Sequence, residues 1–162
     1  MRAADEPAVL ALQRQAYPPT HHESWQVLGA KLALYPRGCW VIEDEGGLLG
    51  YLFSHPGRQE APPLLHAELS LPAQADAYAL HDLALQPEAR GRGLARRLFE
   101  QAEREAARSG LAVMSLVAVQ GSAPFWARFG FAAVLPAPPQ LAGYGDSAVF
   151  MHRAGSGTPA AR

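Results

Sequence analysis

The sequence predicts a single-domain mixed α/β fold in which helices flank one mostly antiparallel central sheet. Three observations carry this. Segments with apolar residues at helical spacing alternate with short apolar runs of strand character. A turn containing Gly46 and Gly47 joins two of those runs as a hairpin. A strand, a helix and another strand then follow between Ala77 and Val119, which excludes a purely helical or purely β domain. At 162 residues, 49% hydrophobic and 18% charged, the chain suffices for one core, and 1–153 is read as one domain.

The elements follow in order. "DEPAVLALQRQAY" reads as a helix with Asp5 as N-cap, Pro7 in the first turn and Val9, Leu10, Leu12 and Ala16 on one face. "ESWQVLGAKLALY" is a second helix, stopped by Pro36 and Gly38. "CWVIEDEGGLLGYLFSHP" is the hairpin, and Gly57 to Ala77 lacks a period and is read as loop. "AYALHDLALQ" alternates as a strand. Gly93 to Ser109 is a helix with Leu94, Leu98, Phe99, Ala102 and Ala106 on its apolar face and Gly110 beyond its end. "LAVMSLVAV" is a strand buried on both faces, "SAPFWARF" a short helix ended by Gly130, "FAAVL" a strand and "SAVFMHR" the last strand. Small residues from Ala154 to Arg162 form a disordered tail.

Net charge of −1 argues against nucleic acid as a partner, since such domains are ordinarily basic. Cys39 is the single cysteine, which excludes a disulfide framework and a cysteine metal site; no metal is expected. Asp5 and Glu6 interrupt the N-terminus early, so it does not read as a secretory leader, and no apolar run is long enough to span a membrane. The expected location is the cytoplasm, and the expected state a monomer or homodimer.

The chemistry concentrates in "LALQPEARGRGLARRLFEQA", where Arg90, Arg92, Arg96 and Arg97 crowd a strand-to-helix turn. A helix N-terminus presents unpaired N–H groups and the positive end of the macrodipole. Gly91 and Gly93 allow the close backbone approach that an anion needs, and Arg90 and Arg92 add charge beside those amides. Arg96 and Arg97 are read as solvated helix-face residues. A P-loop would need Gly-Lys-Ser/Thr where Leu94-Ala95 stands, and a dinucleotide fingerprint would need a third glycine where Arg96 stands.

Arg90-x-x-Gly93-x-Ala95 after "HDLALQPEA" resembles the coenzyme A pyrophosphate loop of the GCN5-related N-acetyltransferase (GNAT) superfamily. Leu83-Ala84-Leu85 matches the apolar-x-apolar strand end whose backbone holds pantetheine, and "FWARFGF" matches the short helix that follows the buried strand. The similarity is strong from Tyr78 to Leu135. It implies the acyl-CoA N-acyltransferase fold, here with its first strand shortened or absent. It also implies a co-substrate, acetyl-CoA, held by Leu83, Ala84, Leu85, Arg90, Gly91, Arg92, Gly93, Leu94, Ala95, Ser122, Phe125 and Trp126. The implied reaction is direct attack of a primary amine, on a small molecule or peptide, at the thioester.

The chain departs from the family pattern where acid–base chemistry is concerned. Trp126 occupies the usual tyrosine acid position, Val119 the asparagine position and Met114 that of a glutamate base. An indole N–H donates a hydrogen bond but is no proton acid near neutral pH. Oxyanion donors are expected from a bulge around Leu83 to Leu85. Asp82 is the candidate general base, strand alternation allowing only one of His81 and Asp82 to face the site. Ser122, at the start of the short helix, is a candidate near the leaving sulfur as well as a candidate N-cap. Tyr144 is a candidate for the lid or for proton donation. His55 and His66 are read as surface or loop residues. The substrate pocket is assigned to the first two helices, 57–77 and 136–145, with Trp25, Tyr35, Tyr78 and Tyr144 making it more aromatic than acidic. The missing acid–base set leaves a second reading, a CoA-binding sensor or regulatory module without turnover.

Overall fold

Residues 1–154 are described by a computed structural model, and they follow the element order that the sequence predicts. Helices α1 (Glu6–Ala16) and α2 (Trp25–Leu34) precede the hairpin of β1 (Cys39–Asp44) and β2 (Gly47–Gly57). β3 (Ala77–Leu85), α3 (Leu94–Arg108) and β4 (Val113–Ala118) come next, then α4 (Ala123–Ala127), β5 (Ala132–Ala133) and β6 (Val149–Ala154). The strands lie in the order β1-β2-β3-β4-β6-β5, every pairing antiparallel except β3–β4. No strand precedes α1 among the described residues; a 3-10 turn, Ala3–Asp5, stands there. Ala154 ends β6, so the tail expected from that residue is shortened at its start, and 155–162 lie outside the described residues.

The sheet separates two cores. On one face Leu94, Leu98, Phe99, Ala102 and Ala106 form the buried stripe of α3 and pack with Leu52, Tyr78, Leu80, Met114, Leu116 and Met151. On the other, Val9 and Leu12 of α1 and Leu28 of α2 cover Tyr51, Phe53 and Ala84. Capping separates the first two helices. Ser24 Oγ accepts the Val27 N–H at 3.4 Å at the start of α2. Asp5 stands at the N-cap position of α1, but its carboxylate accepts the Arg2 N–H at 2.7 Å and caps the preceding 3-10 turn instead. No helix among the described residues is long and apolar enough to cross a membrane.

Two irregularities in β3 position the site. Its parallel pairing with β4 ends at Leu80 and Leu116, after which β4 stays with β6 and the two strands part. Its antiparallel pairing with β2 is interrupted where Phe53 faces Asp82 and Ser54 faces Leu80, leaving His81 as an extra, bulged residue. The bulge thus falls at His81 rather than at Leu83 to Leu85.

Candidate active site

The parted strands open a cleft of about 730 Å³ that runs from the N-terminus of α3 to the junction of α1 and α2. At one end the chain makes a 3-10 turn, Pro87–Ala89, then passes Gly91 at φ 74° and Gly93 at φ 76° into α3. Both angles lie in the left-handed region, where a side chain costs about 1–2 kcal/mol, and this accounts for glycine at both places. The first bond of α3 runs from Arg97 N to Gly93 O at 3.2 Å, so the N–H groups before it are free for an anion. Arg90, Gly91, Gly93, Leu94 and Ala95 all line the cleft.

The arginines divide differently from the sequence reading. Arg96 is exposed, as expected of a helix-face residue, but also lines the cleft, its guanidinium carbon 4.8 Å from the centroid of the Phe129 ring, whereas Arg92 is exposed and outside the lining. Arg97 is exposed, as expected. Along the walls, Leu83 and Leu85 turn towards the α3 side and Ala84 towards α1 and α2. Ser122, Phe125 and Trp126 line the opposite wall. Ser122 occupies the N-cap position of α4 but makes no side-chain capping bond, which leaves its hydroxyl available to the cleft. Trp126 is 8% exposed and packs edge-on against Phe99 and Phe131, so it is core and wall at once.

The other end of the cleft is acidic and buried. Because the bulge breaks alternation, His81 and Asp82 both turn towards the α1/α2 side, which corrects the expectation that only one could. Asp82 Oδ2 accepts the Tyr51 hydroxyl at 2.8 Å, while Oδ1 is buried with no hydrogen-bond partner among the described residues. Burial raises the Asp82 carboxyl above the ordinary range, against the opposing pull of Tyr17, His81 and Tyr51. Glu23, at the α1–α2 junction, accepts His81 Nε2–H at 2.6 Å and the His66 N–H at 2.8 Å, with Lys31 Nζ at 3.6 Å. Burial alone would push this carboxyl up, but His81, Lys31 and the His66 N–H outweigh it and hold it at about 2. Glu23 is therefore held as an anion, while the Asp82 carboxyl is shifted in the opposite direction.

Several of these residues are missing from the sequence reading. Tyr17, His21, Glu23 and Leu65 line the cleft, with the Tyr17 hydroxyl donating to Leu83 O at 2.8 Å. No local pattern marks them, since their partners lie far along the chain. Of the four aromatic residues assigned to the pocket, Tyr144 alone lines it. Its hydroxyl donates to Pro63 O at 2.5 Å and its carbonyl accepts His21 Nε2–H at 3.1 Å, joining three loops over the acidic end. Trp25 packs in the α1/α2 core, Tyr35 bonds Glu105 on α3, and Tyr78 is fully buried with its hydroxyl on Ser54. Cys39 is buried beside β2 and pushed up to about 12, away from the cleft, which suits no covalent role.

His66 is an exposed turn residue at φ 64°, but His55 is not on the surface. It sits in β2 at 2% exposure, donates from Nδ1 to Pro56 O at 2.8 Å, and is held down to about 3, chiefly by burial and then by His81. Between about 3 and the ordinary 6.5, the unfolded chain binds a proton at this position that the folded chain does not. Stability from this group is therefore complete above pH 6.5 and lost as pH falls. From pH 6.5 to 5.0 the loss amounts to roughly 1.6 kcal/mol. His55→Asn, which keeps a donor for Pro56 O, is expected to remove that part of the slope in urea unfolding at the two pH values. An unchanged slope would mean that His55 is protonated in the fold.

Comparison with known proteins agrees with this geometry. The profile of the Acetyltransferase (GNAT) family matches residues 7–131. A search of curated protein sequences finds no match. Among solved structures, the GphF GNAT-like decarboxylase in complex with isobutyryl-CoA superposes with a TM-score of 0.73 at 20% identity, covering 95% of this chain and 96% of that one. Ard1 from Thermoplasma volcanium gives 0.71 at 14% identity, covering 95% and 93%. The ribosomal-protein-S18-alanine N-acetyltransferase from Escherichia coli gives 0.67 at 16% identity, covering 98% and 92%. At these identities the structural likenesses show the fold.

Proposed function

Since the chain belongs to the acetyltransferase (GNAT) family, we propose that it moves the acetyl group of acetyl-CoA to a primary amine of a small molecule or peptide by direct attack. The observation that carries this reading is the single cleft between the parted strands β3 and β4, with an anion cradle at one end and buried carboxylates at the other. The amides around Gly91 to Ala95 would hold the pyrophosphate, with Arg90 beside them; Leu83, Ala84 and Leu85 would run along the pantetheine, and Phe125 and Trp126 would wall it. Arg92, outside the lining, would act at longer range. The likeness to proteins solved with isobutyryl-CoA and to an alanine N-acetyltransferase supports the co-substrate and the amine class.

In this reading each step uses a residue of this chain. The ammonium of the acceptor enters between Tyr144, His21 and Asp82. Asp82 takes its proton by way of a bridging water, and the freed nitrogen attacks the thioester carbon. Main-chain groups at the bulge stabilise the oxyanion as the carbon becomes tetrahedral. The C–S bond then breaks, the sulfur takes the second proton of the attacking nitrogen, and the Ser122 hydroxyl donates a hydrogen bond to it. Trp126 shapes the wall and transfers no proton.

The test is thiol release from acetyl-CoA against a panel of amino acids, aliphatic amines and short peptides. Acetyl-CoA-dependent acetylation of at least one primary amine is expected. Tight acetyl-CoA binding with no transfer to any amine would overturn the reading in favour of a binding module.

A further inference from the structure

We propose that Glu23 is a positioning residue, which through His81 holds the bulge of β3 in the conformation that presents its main chain to the thioester. This rests on the acetyl-transfer reading above and adds to it a residue outside the reacting atoms. The bulged residue is partly exposed as a whole, yet the His81 side chain is only 1% exposed, so the surface it gives to the cleft is main chain. A bulge carries no ladder partner to fix its orientation, and something else must. That role falls to the His81 ring, whose single hydrogen bond among the described residues is to Glu23.

Glu23 is itself fixed from every side. Its main chain is clamped by the Gln13 side chain, which accepts the Glu23 N–H at 2.9 Å and donates to Glu23 O at 2.9 Å. Its carboxylate binds Lys31 of α2 and the N–H of His66 in the 57–76 loop. One residue, itself 3% exposed, thus joins α1 through its main chain and α2, the loop between β2 and β3 and the bulge through its carboxylate. A displacement of the bulge by an ångström would misplace the oxyanion donors, a fault that costs about 100-fold in rate.

The experiment follows the carbonyl stretch of carbonyl-¹³C acetyl-CoA by infrared difference spectroscopy, alongside kcat and KM for the wild type, Glu23→Gln, His81→Leu and His81→Gln. The wild type is expected to lower the stretching frequency on binding. Glu23→Gln and His81→Leu are expected to lose most of that shift and about 100-fold in kcat, with KM for acetyl-CoA changed only a few-fold. His81→Gln keeps a donor for Glu23 and is expected to restore both. Where Glu23→Gln strands the Lys31 ammonium and fails to fold, Glu23→Gln combined with Lys31→Met serves in its place. A wild-type shift retained in Glu23→Gln and His81→Leu would overturn the positioning role alone. A wild type that binds acetyl-CoA without any shift would overturn the acetyl-transfer reading and this role with it.

Discussion

Gly93→Glu is expected to abolish acetyl-CoA binding, with affinity falling by at least about 100-fold, or roughly 3 kcal/mol, while the fold survives. Two effects combine. Gly93 is the N-cap of α3 at φ 76°, where a side chain costs about 1–2 kcal/mol. Among the described residues a Cβ there meets nothing within 4 Å beyond its own stretch of chain, so the damage to the fold is confined to that backbone strain. For a chain of this size the strain lowers Tm by about 2 to 8 °C. The larger effect falls on the ligand, because the new carboxylate stands where the helix end and its free N–H groups would meet a pyrophosphate. Gly93→Ala carries the same φ strain without the charge and is expected to bind measurably, between the two. Calorimetric titration with acetyl-CoA distinguishes them, and micromolar affinity in Gly93→Glu would sink the cradle assignment.

Asp82→Asn is expected to lower kcat by about 10² to 10³-fold with acetyl-CoA affinity unchanged. The amide fills the same space and still accepts the Tyr51 hydroxyl, but it takes no proton. Glu23 does not replace it, being held at about 2 with its oxygens already bonded. The pH profile gives the sharper discrimination. In the proposed mechanism the rate depends on ionised Asp82, so it is expected to rise with pH through the raised Asp82 value and to fall below it. Tyr51 pulls that value down through its hydrogen bond, so Tyr51→Phe should move the acid limb to higher pH with the plateau largely kept. An Asp82→Asn variant with wild-type turnover would remove Asp82 from the mechanism.

The order of helices and strands was legible because each rests on a local signal. The apolar stripe of α3, the Gly46-Gly47 turn and the glycines at 91 and 93 are read from neighbouring residues alone. What escaped depends on contacts across the chain. His81 and Glu23 meet across a sequence separation of 58 and Tyr17 and Leu83 across one of 66, with no spacing to announce them. The alternation rule assumed a regular strand, and the bulge at His81 turns His81 and Asp82 to the same side. The sequence reading places Trp25, Tyr35 and Tyr78 in the pocket because aromatic character does not tell a ring that lines a cleft from one that packs in a core. Arg96 took the place at the cleft expected of Arg92 because the first turn of α3 carries it over the Phe129 ring.

The central claim is that one cleft holds coenzyme A from the α3 N-terminus to the β3 bulge, and a crystal structure with CoA tests it most directly. The pyrophosphate is predicted within hydrogen-bonding distance of the amides between Gly91 and Ala95. The pantetheine is predicted between β3 and β4, with its sulfur near Ser122 and facing the bulge. CoA bound elsewhere, or lying in the cleft with its pyrophosphate away from those amides, would contradict it.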